Sequence, residues 1–247
     1  MRIKIVALSY KRPEKSITQI NYPSIKLVVR ESEAEEYRAN GNDIIECPDA
    51  AQGNVSRVRN YILDNLFDKD TDCLVILDDD CKAISRWEDQ INNKFTEEGL
   101  YEFCEQMASV TEELGFKLWG LNIVTDKGAY REYTPFGFLQ FLGCPFHAHL
   151  KGSPLRYDED LPLKEDYDFS LQNIKKYGGC LRVNFANYDV KQSEQAGGCS
   201  DMRNLKKEKQ QFFALQKKWG KDIIKRDKGS KKSFDFNPIV NVPIKGI

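Results

Sequence analysis

Short apolar runs rich in β-branched residues recur along the first third of the chain, and stretches with helical spacing separate them. Residues 3–8 (IKIVAL) form the first run, which breaks at Arg12-Pro13. Residues 25–29 repeat the pattern, and residues 43–47 supply a third run stopped by Pro48. Ser32-Glu33-Ala34-Glu35 has capping-box spacing and predicts a short helix ending near Gly41. Residues 54–67 predict a helix with Val55, Val58, Ile62 and Leu66 on one face. The most hydrophobic run, residues 73–77, leads straight into Asp78-Asp79-Asp80. This alternation predicts βαβ units, and with them an α/β, Rossmann-like fold whose largely parallel sheet is flanked by helices.

Farther along, Leu100, Phe103, Met107, Val110 and Leu114 step at helical intervals. Residues 118–124 read as a strand, residues 130–150 as further strand interrupted by Gly and Pro, and residues 180–190 as another strand. Residues 162–177 predict a helix stopped by Gly178-Gly179. A last helix is expected over 204–226, with Leu205, Phe212, Leu215 and Trp219 on one stripe. The final twenty residues, with Pro238 and Pro243, read as extended chain on the surface. No internal repeat or low-complexity segment interrupts the pattern, so the expected organisation is a single-domain body, residues 1–199, carrying a basic helix and tail, residues 200–247.

With 247 residues, 40% of them hydrophobic and 11% aromatic, the chain is long and apolar enough to bury a core, which excludes a solvated, disordered protein. No apolar run approaches the roughly 18 residues that span a bilayer. Arg2 and Lys4 sit inside the opening apolar stretch, so it reads as a strand and not a signal peptide. The seven cysteines are odd in number and form no CxxC pair, which argues against a disulfide framework or a cysteine zinc site. A reducing, cytoplasmic setting without membrane contact is expected.

The net charge of −1 conceals an asymmetry: from residue 200 onward thirteen Lys and Arg face five Asp and Glu, a balance of +8 against −9 elsewhere. A basic tail on an acidic body suits contact with a polyanion, though charge alone suits a solvated basic helix as well.

Four groups of residues could carry chemistry. Asp78-Asp79-Asp80 follows a buried strand, where open α/β sheets gather ligands. Three adjacent carboxylates repel one another, and Mg²⁺ or Mn²⁺ bound by hard oxygens removes that cost. An acidic turn capping the next element is the plainer alternative. Arg57 and Arg59 lie two apart and so do not share a helical face; one should point toward the acids and bind phosphate or a base, unless both are solvated. Glu165 and Asp166 open a predicted helix, where the macrodipole favours carboxylates in any case, and either offers a general base. His147 and His149 alternate at period two and face one side of a strand, as metal ligands or as structural residues.

Together these pieces resemble the GT-A class of nucleotide-sugar glycosyltransferases. The matching elements are the strand ending in Ser9-Tyr10-Lys11-Arg12-Pro13, then Arg57-Val58-Arg59-Asn60, Leu77-Asp78-Asp79-Asp80 as a DxD-like motif, and Glu165-Asp166-Tyr167-Asp168 as an acceptor-activating acid box. A closer likeness is to the TET-associated glycosyltransferases, found mainly in bacteriophages. It rests on residues 6–12, on Lys164-Glu165-Asp166-Tyr167-Asp168-Phe169, on Gly178-Gly179, and on Ala196-Gly197-Gly198-Cys199 with Arg203.

That resemblance implies a GT-A-type fold, a UDP-sugar donor, Mn²⁺ or Mg²⁺ as cofactor, and hydroxymethylated pyrimidines in DNA as the acceptor, with transfer inverting the anomeric centre. For a viral protein the place of action would be the host cytoplasm. It further implies that Ser9, Tyr10, Arg12, Arg57 and Arg59 line the nucleotide site. Asp80 would ligate the metal, Asp78 would hold the ribose, the metal or its bound water, and Asp79 would sit between them. Asp166 would be the catalytic base, Glu165 would orient the acceptor, and Asp168 would be structural. No histidine follows His149, so the late metal-binding histidine of many GT-A enzymes is missing, and His147 or His149 is the available substitute. The alternatives are a glycan or protein acceptor, or a DNA-binding module without activity. A sugar nucleotidyltransferase would need a Gly-rich phosphate loop after the first strand, and residues 9–13 contain no glycine.

Overall fold

A computed structural model of the protein describes residues 1–191, 204–227 and 236–243. Strands β1 (Ile3–Leu8), β2 (Lys26–Arg30), β3 (Ile44–Cys47) and β4 (Cys73–Asp78) lie parallel in the order β3-β2-β1-β4. Helices α1 (Ile17–Asn21), α2 (Ala34–Ala39) and α3 (Val55–Asn65) make the crossovers. These are the βαβ units that the hydrophobic alternation predicts. The pairing of Leu8 with Asp78 sets the end of the β1–loop segment beside the first carboxylate.

A hairpin follows directly, β5 (Cys81–Glu88) and β6 (Ile91–Lys94), turning through Asp89 and Gln90, both at positive φ. The remaining elements are α4 (Glu97–Glu113), β7 (Leu118–Asn122), β8 (Phe136–Gly137), β9 (Phe146–Leu150), α5 (Glu165–Tyr177), β10 (Leu181–Val190), α6 (Leu205–Trp219), β11 (Ile224–Arg226) and β12 (Pro238–Val240). The main sheet runs β3-β2-β1-β4-β9-β7-β10-β5-β6, with β8 beside β10. Strand β9 is antiparallel to both neighbours, so β7 and β10 point the same way as β1 to β4. The result is the mixed, mostly parallel sheet flanked by helices expected of a GT-A-type fold.

Alternation at period two splits the core between the faces of the sheet. Ile5, Ala7, Val75 and Leu77 pack with Tyr22, Tyr37 and the α4 residues Leu100, Phe103 and Met107. Val6, Leu74 and Ile76 face the other way, against Val58 and Ile62 of α3 and Phe169 and Ile174 of α5. A third, smaller core joins α6 and the β11–β12 pair to the outer side of α5 through Leu171, Phe212, Leu215 and Ile224.

Several local expectations are corrected. Only Phe136–Gly137 and Phe146–Leu150 are strand within the stretch read as 130–150, because Pro135 precedes the first and Gly143 and Pro145 interrupt the chain between them. The last helix stops at Trp219 before Gly220, which sits at φ 96°, and Ile224–Arg226 pairs with Pro238–Val240 instead of prolonging it. Helix α2 begins at Ala34 without a side-chain cap, so Ser32 and Glu35 do not form the capping box. The six described cysteines are free and buried, and Cys199 lies outside the described residues. The 196–199 glycine segment and Arg203 also lie outside them. No helix of the described residues is long and apolar enough to cross a membrane.

Candidate functional site

The site begins where β4 runs out of apolar residues. Cys73 to Leu77 are wholly buried, and Asp78 is the first residue of the strand to reach solvent. The turn Asp78–Asp80 is clamped from below by α1. Ser16 Oγ donates to the Asp79 carbonyl at 2.8 Å, Thr18 Oγ1 to the Asp78 carbonyl at 2.7 Å, and Thr18 N–H to the Asp79 carbonyl at 3.1 Å. Thr18 Oγ1 then accepts the Cys81 N–H at 3.0 Å. Backbone groups that a sharp turn would leave unpaired are thus satisfied by one helix start.

The three carboxylates differ in their surroundings. Asp79 is 7% exposed and points inward: Ser9 Oγ donates to it, and Arg12 Nη1 donates to its Oδ1 at 3.0 Å. Tyr37 ties the same loop down, its hydroxyl meeting Ser9 Oγ at 2.8 Å and accepting the Arg12 N–H at 3.0 Å. Tyr10 is half-buried under the guanidinium of Arg30, 5.1 Å from the ring centre. Asp80 has no such support. Burial, then the charges of Asp78 and Asp79, push its carboxyl up to about 7. That is the cost a cation relieves.

Arg59 connects this turn to α5. Its guanidinium is 1% exposed, donating from Nη1 to Glu165 Oε1 at 3.0 Å and from Nη2 to Asp78 Oδ1 at 3.2 Å and to the Cys144 carbonyl at 3.2 Å. The ring of Tyr157 lies 5.7 Å below it. The electrostatic pull of Cys144, Asp78 and Glu165 around it raises its pKa well above the ordinary value in spite of desolvation.

Helix α5 carries three acids in its first turn, Glu165, Asp166 and Asp168, at the positive end of its dipole. Glu165 is buried, and desolvation together with the neighbouring Asp166 pushes its carboxyl up to about 7 against the pull of Arg59. Asp166 is half-buried, and its Oδ1 accepts the Tyr167 N–H at 2.8 Å. Asp168 turns away from the cleft. Fully buried, it accepts from Trp219 Nε1 at 2.7 Å and pairs with Lys218 Nζ at 2.8 Å. Lys164 meets Glu208 at 2.6 Å, both nearly inaccessible. Helix α6 is thereby held against the turn that presents Glu165 and Asp166.

The structure therefore brings together Ser9, Arg12 and Asp79 as one cluster, and Arg59, Asp78 and Glu165 as another, with Asp80 and Asp166 alongside. It leaves two expectations aside. Arg57 is half-exposed and bonds Glu159 Oε2 at 3.1 Å and the Ala50 carbonyl at 3.2 Å, on the outer face of α3. His147 and His149 share a face as their spacing implied, but it is the core face. Both nitrogens of His147 are engaged, by Tyr157 Oη at 2.7 Å and the Leu142 carbonyl at 2.9 Å, and His149 Nε2 meets the same hydroxyl at 3.1 Å. Burial keeps both rings neutral, that of His147 down to about 3, and as ring partners in the core they are not placed as metal ligands.

Sequence reading missed Ser16 and Thr18, because a five-residue helix is too short to show a period. It also missed Tyr157, which no motif marks. Arg59 over Arg57 was discernible: it stands four after Val55 and three before Ile62, on the buried stripe.

Among the described residues no group of three or more His, Cys, Asp or Glu is arranged around a metal position. Asp78 and Asp80 still fit a hard divalent ion of the kind that keeps waters and completes its shell with substrate phosphates, since burial and the charges of Asp78 and Asp79 outweigh the pull of Arg12 on the Asp80 carboxyl.

No curated protein matches the chain. Among solved structures, A197 from STIV is 17% identical over 81% of this chain and 91% of that one, with a TM-score of 0.44. S. aureus TarS 1-349 in complex with UDP-GlcNAc is 15% identical over 79% of this chain and 60% of that one, with a TM-score of 0.46. The 4-diphosphocytidyl-2C-methyl-D-erythritol synthase of Anaerococcus prevotii gives 12% over 78% and 91%, with a TM-score of 0.42. The family model of the TET-associated glycosyltransferases matches residues 3–198, most of the length and every element of the site, and the chain belongs to that family.

Proposed function

We propose that the cleft at the carboxyl end of β4 moves a sugar from a UDP-sugar to the hydroxymethyl oxygen of a modified pyrimidine in DNA. The observation that carries this reading is the Arg59 bridge, which joins a carboxylate of the β4 turn to the acid pair at the start of α5. Donor-side and acceptor-side acids then share one cleft.

Asp78 and Asp80 would hold Mn²⁺ or Mg²⁺, which when bound supplies positive charge to the departing diphosphate. Arg12, with 23% of its side chain exposed, would add a second positive charge there, and the half-buried Tyr10 would face the uracil. Ser9 is enclosed and acts through Asp79. Asp166 would take the proton of the acceptor hydroxyl as that oxygen bonds to the anomeric carbon. The bond from that carbon to the diphosphate oxygen breaks in the same step, UDP leaves with the electron pair, and in-line attack inverts the centre. Glu165, fixed by Arg59, would orient the acceptor.

Support for DNA comes from α6. Its apolar stripe is spent on α5, and Lys206, Lys207 and Lys209 are exposed. Such lysines suit backbone phosphates, which are bound without regard to sequence. A base within a duplex would have to be flipped out to reach Asp166.

The test is a panel of UDP-sugars incubated with hydroxymethylated DNA, with product mass as the readout. A mass gain of one sugar is expected, lost about 100- to 10,000-fold in rate in Asp166→Asn. Near-normal turnover in that variant removes Asp166 as base. Sugar transfer to a glycan or protein but not to DNA moves the acceptor, and the absence of metal-dependent UDP binding favours a binding module.

A further inference from the structure

Tyr188 stands near the end of β10, opposite Ile84 of β5, and the register between the two strands shifts just beyond it, between Asp189 and Val190. This irregularity falls where β10 passes the start of β5 at Cys81, directly after the carboxylate turn. The residue is 7% exposed. Its hydroxyl makes no hydrogen bond among the described residues.

The loop between β8 and β9 crosses this hydroxyl at Gly143. A Cβ there would collide with Tyr188 Oη and approach Ile123 Cγ2 at 2.8 Å, so a larger residue would have to push the phenol aside. That loop is fastened to both halves of the site. Cys144 receives Arg59 through its carbonyl at 3.2 Å. Leu142 N–H donates to Ser170 Oγ at 3.0 Å, and the same hydroxyl donates to the Asp166 carbonyl at 2.8 Å. Phe141 stacks on Tyr167, ring centres 4.2 Å apart. The segment that meets Tyr188 Oη is thus connected to Arg59, and through it to Asp78, and to the turn of α5 that bears Asp166.

We propose that the Tyr188 hydroxyl contacts the sugar being transferred, donating a hydrogen bond to one of its hydroxyls and so helping to select the donor. This rests on the reading of the cleft as a UDP-sugar site. The sugar carbon under attack has to lie between the diphosphate and the proton acceptor, and Tyr188 Oη meets the loop that links Arg59 to the Asp166 turn. Burial, followed by the charges of Asp166 and Asp78, holds the phenol proton on well above its ordinary range, which makes the group a donor at neutral pH. A nearly buried hydroxyl with no partner among the described residues is satisfied by a ligand hydroxyl at little cost.

The experiment is calorimetric titration of the whole chain with UDP, UDP-glucose and UDP-GlcNAc in the presence of Mn²⁺. For the sugar that wild type binds best, Tyr188→Phe is expected to shift the ratio of sugar-nucleotide to UDP dissociation constants about 10-fold, with UDP affinity held within about 2-fold. Gly143→Ala, which displaces the hydroxyl without removing it, should shift the ratio in the same direction. The double variant should be no worse than Tyr188→Phe alone. An unchanged ratio in Tyr188→Phe, or equal loss of UDP and UDP-sugar, overturns the assignment and leaves the donor site standing. Wild-type protein that binds neither UDP nor either sugar nucleotide overturns the donor site and the assignment with it.

Discussion

Arg59 and Glu165 meet at 3.0 Å across 106 positions of sequence, the arginine 1% exposed and the glutamate 9%. The same arginine holds Asp78 at 3.2 Å. One buried cation thus fixes the distance between the acids at the end of β4 and those at the start of α5, and several expectations follow from that dependence.

Replacing Arg59 by Met leaves the buried Glu165 without its cation and removes a partner from Asp78, whose side chain is 31% exposed. Urea denaturation should show a loss of about 3–5 kcal/mol. Arg59→Lys keeps the charge and should recover part of the stability. It lacks the planar fork that reaches both acids, so sugar transfer should stay at least about 10-fold below wild type. A Met variant within about 1 kcal/mol of wild type would show that the acids do not depend on the bridge.

Glu165 makes stability pH-dependent with a definite sign. Its carboxyl is raised from 4.5 to about 7 by burial and by Asp166, so the folded state holds the proton more tightly than the unfolded one. Its contribution to stability is greatest below the unfolded value and is lost as pH rises through about 7. Glu165→Gln cannot titrate. Stability of wild type relative to this variant should therefore fall between pH 4 and pH 8, by at most about 3 kcal/mol. A difference that is flat across that interval contradicts the shift.

The Lys164–Glu208 pair, 2.6 Å apart and nearly inaccessible, docks α6 on α5. Lys164→Met alone should destabilise the chain by up to about 3–5 kcal/mol by taking from the buried Glu208 its 2.6 Å ion-pair partner. Lys164→Met with Glu208→Leu should recover most of that loss, since an apolar pair of similar volume replaces an ion pair without the desolvation penalty. Equal melting of the two variants would show that the charges act independently.

Metal binding is checked through Asp80. Calorimetry with Mn²⁺ and UDP should show at least a 10-fold (~1.4 kcal/mol) weaker metal-dependent affinity in Asp80→Asn than in wild type. Identical UDP affinity with and without chelator, in either protein, would remove the cation from the reading.

For the acceptor, Lys206, Lys207 and Lys209 changed together to Glu should weaken DNA binding and flatten its dependence on salt by up to about three units of slope. Because these side chains are exposed, the melting temperature should not move. Unchanged DNA affinity would point to a different acceptor.

Much of this molecule is encoded within a few residues at a time. The apolar run from Cys73 to Leu77 followed by three aspartates sets acids at the mouth of a buried strand whatever surrounds them, because a strand that loses its apolar residues must emerge into water. The helical stripes of α3, α4 and α6 are likewise local, since a period of 3.6 needs only its own segment to be read. Alternation of His147 and His149 correctly put both on one face. Whether that face met solvent, metal or core depended on Tyr157 and on the Leu142 carbonyl, and no spacing rule links them. The same limit hid the clamp of Ser16 and Thr18 on the carboxylate turn. Hydrophobic periodicity determines which way an element faces; what it faces is decided only when packing brings together partners such as Arg59 and Glu165, which the chain holds far apart.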